Sequence, residues 1–279
     1  MIIDNFTLII PTYNRSVHLA NLLRYFGMSK FDLSIMILDS SNDDEKALNI
    51  AAIQGARQQI EYLHYPNNVP FKEKLLDGLK RVKTELCAFC ADDDLLIPEA
   101  INKCVSFLKS NQDYTGAHGH YFGFALDNAS CLVDDMIYDC PSLDGNGPLE
   151  RVAELFEEYQ SNFYAVYRTR AQIETFEVAV RQESSLDFEL MQSAYTATIG
   201  KIKRLPIVYA GRQRSPSADN PTHWHPVEWY STDSSGYDSH FRAYATPLAN
   251  RVHKSLSTAG NGMDRSEIEN ILRLIHYQY

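Results

Sequence analysis

Three consecutive carboxylates, Asp92, Asp93 and Asp94, close the apolar run ELCAFCA (85–91), and Pro98 then opens a helical pattern. Like charges this close repel one another and are comfortable only beside something positive. The simplest partner is a divalent cation, which takes hard carboxylate oxygens and itself holds an anionic ligand. The bland alternative is a solvated acidic turn that caps the helix near Pro98, and for Asp94 alone capping and ligand roles stand level.

Two more clusters have the same setting. PTYN (11–14) follows the apolar run FTLIIP (6–11), and DSSND (39–43) ends the run LSIMILDSS (33–41). Asp39 either offers a carboxylate to a ligand in the crevice or starts an Asx turn through Ser40, Ser41 and Asn42. Asn14 is expected to cap the first helix. Lys72 and Lys74 could meet an anion, although a helical lysine is usually a solvated face.

These clusters need elements to position them. Leu19, Leu22, Leu23 and Phe26 recur at helical spacing, with the helix read over Val17–Tyr25. Asp43 and Asp44 stand where carboxylates suit a helix start. IEYLHY (60–65) is a third strand, a helix follows over Phe71–Lys83, and ELCAFCA is the fourth strand. The order βαβαβαβ predicts an α/β fold: an open, mostly parallel sheet with helices on both faces. Ligands in such sheets bind beyond the carboxyl ends of the strands, where all three clusters fall.

The second half is read as a smaller, partly antiparallel region. Strands are expected over 114–126 and 131–139 around a turn at Asp127 and Asn128, then a helix over 148–160 and a strand over 162–170. A further helix, an amphipathic helix over 184–197 and a strand over 201–214 follow. From about residue 215 periodicity is weak until a terminal helix near Ser266–Tyr277.

The chain of 279 residues carries a net charge of −10, which argues against a nucleic-acid-binding surface. No apolar run approaches the ~20 residues that span a bilayer. The N-terminus lacks the basic region and cleavage site of a signal peptide. Five cysteines, an odd number, point to reduced thiols. The expected compartment is the cytoplasm, with room for peripheral attachment at the inner membrane face. Cys87 and Cys90 form a CxxC, but in a strand they point to opposite faces and are read as buried thiols.

In order and spacing, LIIPTYNR, ILDSSND and CADDDLLIP resemble three signatures of GT-A-fold glycosyltransferases of the family 2 type. SLDFELMQS (185–193) followed by LPIVYAGRQR (205–214) resembles a fourth, the acidic pair at a helix start and the strand after it. The likeness spans roughly residues 1–214, with Ala91 where the first metal-site aspartate is usual and Leu186 where glutamate is common. It implies a GT-A (Rossmann-like) domain over 1–214, with a nucleotide-binding half (1–110) and an acceptor half (111–214). Residues 215–279 would be a C-terminal loop and helical extension packed on the same domain.

The resemblance implies a metal-dependent, inverting transfer from a nucleoside-diphosphate sugar, UDP-linked in the first instance, to an acceptor hydroxyl. Mg²⁺ or Mn²⁺ would be held by Asp93 and Asp94. Pro11, Thr12, Tyr13, Asp39, Asp92, Lys74 and Arg212 would bind the donor nucleotide, with Asp39 accepting from a uracil N3–H and Tyr13 stacking on the base. Arg214, like Arg212, could neutralise the leaving diphosphate. Asp187 would be the general base, with Glu183 and Glu189 as runners-up. The acceptor would be a glycan, a lipid-linked or a small glycoside. His223, Trp224 and His225 suit a lid or acceptor loop better than a metal site, and His118 and His120 read as structural.

Two other classes remain open. A sugar nucleotidyltransferase usually has a glycine-rich basic loop after the first strand, and PTYNRS has no glycine. A non-catalytic nucleotide-sugar-binding module would keep the crevice without turnover.

Overall fold

Ile2–Thr12 form β1, whose Leu8, Ile9 and Ile10 are fully buried. In this computed structural model the residues described are 1–126, 131–133, 140–183, 185–213, 234–258, 260 and 262–278. The chain continues through α1 (Ser16–Met28), β2 (Asp32–Asp39), α2 (Asp43–Gln54), β3 (Gln59–His64), α3 (Phe71–Arg81) and β4 (Leu86–Phe89). β3, β2, β1 and β4 lie side by side and parallel, as the alternating pattern predicts. Ile35, Met36, Ile37 and Leu38 of β2 are all buried, so both faces of that strand are covered.

The second half joins the same sheet. β5 (Leu95–Leu96), α4 (Pro98–Ser110), β6 (Tyr114–Leu126), β7 (Cys131–Val133), α5 (Pro148–Glu157) and β8 (Val166–Arg168) follow. Next come α6 (Thr169–Ala179), α7 (Ser185–Ile199), β9 (Lys201–Gln213), α8 (Ser234–Thr258) and α9 (Arg265–Gln278). The strand order is β3-β2-β1-β4-β8-β6-β9-β5, with β7 on β6. β8 is antiparallel to both β4 and β6, while β9 runs parallel to β6, so mixed pairing begins where the parallel half ends. β6 and β7 pair antiparallel as expected; the turn at Asp127 and Asn128 lies outside the described residues.

Two expectations need correction. The strand over 162–170 is only Val166–Arg168, because the chain turns at 163–165. The region after 215 holds a long helix that the sequence reading missed, α8, with Pro247 inside it. Its buried residues, Phe241, Tyr244, Ala245, Leu248, Ala249 and Val252, recur at helical spacing. That stripe packs against α7 and α9, and the packing outweighs the cost of one proline.

Among the described residues no helix is long and apolar enough to cross a membrane. Cys87, Cys90, Cys104 and Cys140 are free and buried, and burial pushes the Cys87 thiol up to about 12. A thiol so placed stays protonated, so neither redox nor nucleophilic chemistry is expected of it.

Candidate functional site

The site is assembled where β1, β2 and β4 end. Register pairs Thr12 with Asp39 across β1 and β2, so both side chains arrive at one level of the crevice. The Cys90 amide donates to the Ile9 carbonyl at 3.0 Å, which carries the chain after β4 alongside β1 and brings the aspartates back over Thr12. Thr12 Oγ1 donates to Asp92 Oδ2 at 2.7 Å.

The three aspartates have different surroundings. Asp92 is buried, and burial holds its carboxyl above the usual carboxylate range despite the Thr12 hydrogen bond and the nearby Arg15 charge. Arg15 lies across two of them: Nη1 is 3.1 Å from Asp92 Oδ1, and Nη2 is 2.5 Å from Asp93 Oδ2. Asp93 is the most open, with 29% of its side chain exposed.

Asp94 turns inward. Its Oδ1 accepts from the Gln213 amide at 2.8 Å, and its Oδ2 accepts from Tyr164 Oη at 2.7 Å. Arg212 Nε is 2.9 Å from the same Oδ2, and its guanidinium stacks over the Tyr164 ring at 5.0 Å. The cause is local: β5 pairs antiparallel with β9, Leu95 opposite Gly211, which sets Arg212 and Gln213 beside Asp94. With both oxygens engaged, Asp94 holds the turn and ties β9 to it.

Asp39 is fully buried and also surrounded by donors. Oδ1 accepts from the Ser41 amide at 2.7 Å; Oδ2 accepts from Asn49 Nδ2 at 2.9 Å and Tyr62 Oη at 2.7 Å. Burial pushes this carboxyl up, but the hydrogens from Ser41, Asn49 and Tyr62 outweigh it and hold it below the usual carboxylate range. The Asx turn is therefore formed, and contact with a base would require Asn49 or Tyr62 to yield.

Lys74 is not on a solvated face. It is buried, and Nζ donates to Ser40 Oγ at 2.8 Å and to the Thr12 carbonyl at 3.2 Å. Burial lowers its pKa while Asp39 and Asp92 raise it. Gly78, one turn on, meets Leu38 so closely that an added Cβ would lie 2.5 Å from Leu38 Cδ1, which lets α3 seat Lys74 under the crevice. Lys72 instead donates to the carbonyls of Gln182 and Glu183, tying α3 to the turn before α7.

Asn14 does not cap α1. It sits at φ 52°, its amide donates to Ser41 Oγ at 2.8 Å, and its Oδ1 accepts from the Asn42 amide at 2.9 Å. Glu45 Oε2 serves α1 instead, accepting from the Ser16 amide at 2.8 Å. Tyr13 is 53% exposed at the crevice mouth.

Two cavities flank α7. One of about 210 Å³ is lined by Pro11, Ala91, Tyr164, Arg212, Ser185 and Glu189 and lies next to the aspartates, which themselves line a separate space of about 80 Å³ with His18 and Gln213. A larger one of about 610 Å³ lies among α6, α7 and α8, with Glu183, Asp187 and Arg251 in its wall. Size and chemistry disagree here; the smaller cavity touches the donor-side residues. Asp187 and Glu189 are thus divided between the two, as residues two apart on a helix are. Arg214, His223, Trp224 and His225 lie outside the described residues. His118 is buried within β6.

Residues 7–130 match the family described as glycosyl transferase family 2. Among proteins of curated function, none matches this sequence. In solved structures the fold is similar to that of S. aureus TarS, residues 1–349. The complex with UDP-GlcNAc shares 14% identity with a TM-score of 0.61, over 98% of this chain and 73% of that one. The complex with UDP gives 14% and 0.58, over 98% and 72%. A further structure of the same TarS segment gives 13% and 0.56, over 98% and 90%. The fold is that of the GT-A glycosyltransferases, and the match to the glycosyl transferase family 2 model is confined to residues 7–130.

Proposed function

We propose that this chain transfers a sugar from a nucleoside-diphosphate sugar, UDP-linked, to an acceptor hydroxyl with inversion. The observation that carries the reading is the convergence of Thr12, Arg15, Lys74, Asp92 and Asp93 at the carboxyl ends of β1 and β4, next to a cavity edged by Pro11, Ala91 and Arg212. Neighbours of the same fold that hold UDP-GlcNAc and UDP support a uridine donor.

Pro11 and Thr12 edge the crevice, and exposed Tyr13 offers its ring to the base. Lys74 and Arg212 supply positive charge where a diphosphate would gather negative charge. Asp39 aligns the Ser40–Ser41 turn and, where Tyr62 yields, accepts from the base.

The acidic pair fits a divalent cation. One guanidinium lies across both Asp92 and Asp93, so the two carboxylates face one space in which a cation would sit. Among the described residues no group of three or more His, Cys, Asp and Glu is arranged for a metal. Two carboxylates completed by substrate phosphate oxygens is an ordinary donor set for Mg²⁺ or Mn²⁺. Bound there, the cation would stabilise charge on the departing diphosphate. Asp93, the more exposed, would be the principal ligand with Asp92 beside it; Asp94 supports the turn.

Inversion needs a base on the side of the anomeric carbon opposite the leaving group, taking the proton from the attacking hydroxyl. The first two turns of α7 present Asp187 and Glu189, and Glu189 is the one in the cavity with Pro11, Ala91 and Arg212. The acceptor, a glycan or a lipid-linked or small glycoside, would reach the cavity past α7. A cytoplasmic location, with α8 and α9 packed against α7 and α5 of the preceding domain, completes the reading.

Calorimetry with UDP, with and without Mn²⁺, followed by a panel of UDP-sugars scored for hydrolysis and transfer, tests it. Saturable UDP uptake and turnover of one donor are expected. No uptake of any nucleoside diphosphate by folded protein would overturn the assignment.

A further inference from the structure

We infer that Arg15 is the built-in counter-cation of the aspartate pair and competes with a divalent cation for Asp92 and Asp93. The inference rests on the donor-site reading above, because those two carboxylates are the ones proposed to hold the metal.

Arg15 is delivered to the pair by a fixed turn. Asn14 is locked to Ser41 and Asn42 on the β2 side, and its left-handed φ of 52° redirects the chain, so the next residue points back over β4's end. The guanidinium then divides its fork between two different carboxylates, at 3.1 Å from Asp92 and 2.5 Å from Asp93. A bidentate clamp on one carboxylate would leave the second unpaired; this division gives each a charged donor, although one positive charge offsets only half of the pair's negative charge.

Asp92 cannot stand alone. It is 4% exposed, with a single neutral hydrogen bond from Thr12 besides Arg15, and a buried carboxylate is tolerated only when paired. Arg15, by contrast, keeps 39% of its side chain exposed, so it can swing into solvent without disturbing the core. A divalent ion and a guanidinium on the same oxygens would repel at contact distance, so occupancy is exclusive. The chain therefore has two states. With Arg15 in, both carboxylates are ion-paired; with Arg15 out, the cation and the diphosphate enter together.

The test is Mn²⁺ binding to the protein in the absence of any donor, by electron paramagnetic resonance of the free ion. Arg15→Gln should bind Mn²⁺ roughly tenfold or more tightly than wild type. Without metal its melting temperature should fall, and Mn²⁺ should restore it. Arg15→Lys keeps the charge but loses the fork, so its affinity should lie between the two; it also serves if the glutamine variant folds poorly. Unchanged or weaker Mn²⁺ binding in both variants overturns the competition. UDP calorimetry on the same samples separates the failures: UDP uptake with no gain in Mn²⁺ affinity removes the Arg15 role alone, whereas absent UDP uptake removes the donor-site reading.

Discussion

Asp187 and Glu189 leave α7 toward different cavities: Asp187 faces the space shared with α6 and α8, and Glu189 the space shared with Pro11, Ala91 and Arg212. The base that serves the donor side is therefore expected to be Glu189. Glu189→Gln should lower kcat by about 10²–10⁴ while UDP affinity holds, since a base acts only as the acceptor proton leaves. Asp187→Asn should cost less. Single-turnover transfer assays with parallel UDP titrations check this, and full transfer by Glu189→Gln returns the role to Asp187.

Lys74→Met should be costly in two ways. The variant leaves Ser40 Oγ without its Lys74 donor, leaves the Thr12 carbonyl with only the Ser40 amide, and takes a positive charge from between Asp39 and Asp92. A loss of about 1–3 kcal/mol of stability is expected, as for a buried polar group left unpaired. UDP affinity should fall with it. Urea midpoints and calorimetry measure the pair; a variant as stable as wild type would show that Lys74 is dispensable to the crevice.

Tyr62→Phe should make the protein more sensitive to acid. Asp39 is held below the usual carboxylate range, so its contribution is present above the unfolded value and lost as pH falls through the folded one. Removing the Tyr62 hydroxyl removes one of the hydrogens that hold it there, raising the folded value. The acid unfolding midpoint followed by circular dichroism should move to higher pH, and an unmoved midpoint would mean that Asn49 and Ser41 suffice.

How far was this site legible beforehand? The parallel half was, because buried strands announce themselves as apolar runs and each ends in a polar cluster. Lys74 was named for the donor with a solvated face as its ordinary alternative, and its burial was not foreseen, although it shares one face with Leu75, Gly78 and Leu79, a stripe that could have been read as buried. Arg15 was given no role, since its partners stand 77 and 78 residues away and only the return of the chain after β4 joins them. Helix α8 was missed because Pro247 and a Ser-Gly start argue locally against it, while the apolar stripe that decides the matter needs α7 to pack against. The division of Asp187 from Glu189 followed from helical geometry; which cavity each faced did not.

His276 gives the C-terminal helix its own pH dependence. It is buried against Phe156, Phe241 and Tyr244, and burial pushes it down to about 4. Because the folded value lies below the unfolded ~6.5, the unfolded chain binds the extra proton first. Stability is complete above about 6.5 and declines as pH falls toward 4, by up to ~3 kcal/mol. His276→Phe should flatten that slope in urea titrations from pH 7 to 4.5; an unchanged slope would place the titration elsewhere.

An amine sealed beneath the crevice doubles as a reporter. Lys74 is 3% exposed, so an acylating reagent that marks surface lysines should pass it by while the protein stays folded. Its rate of labelling, read by peptide mass, becomes a clock for how often the floor between α3 and the ends of β1 and β2 opens to solvent. Any occupant that seats firmly above that floor should slow the clock, whether or not it reacts.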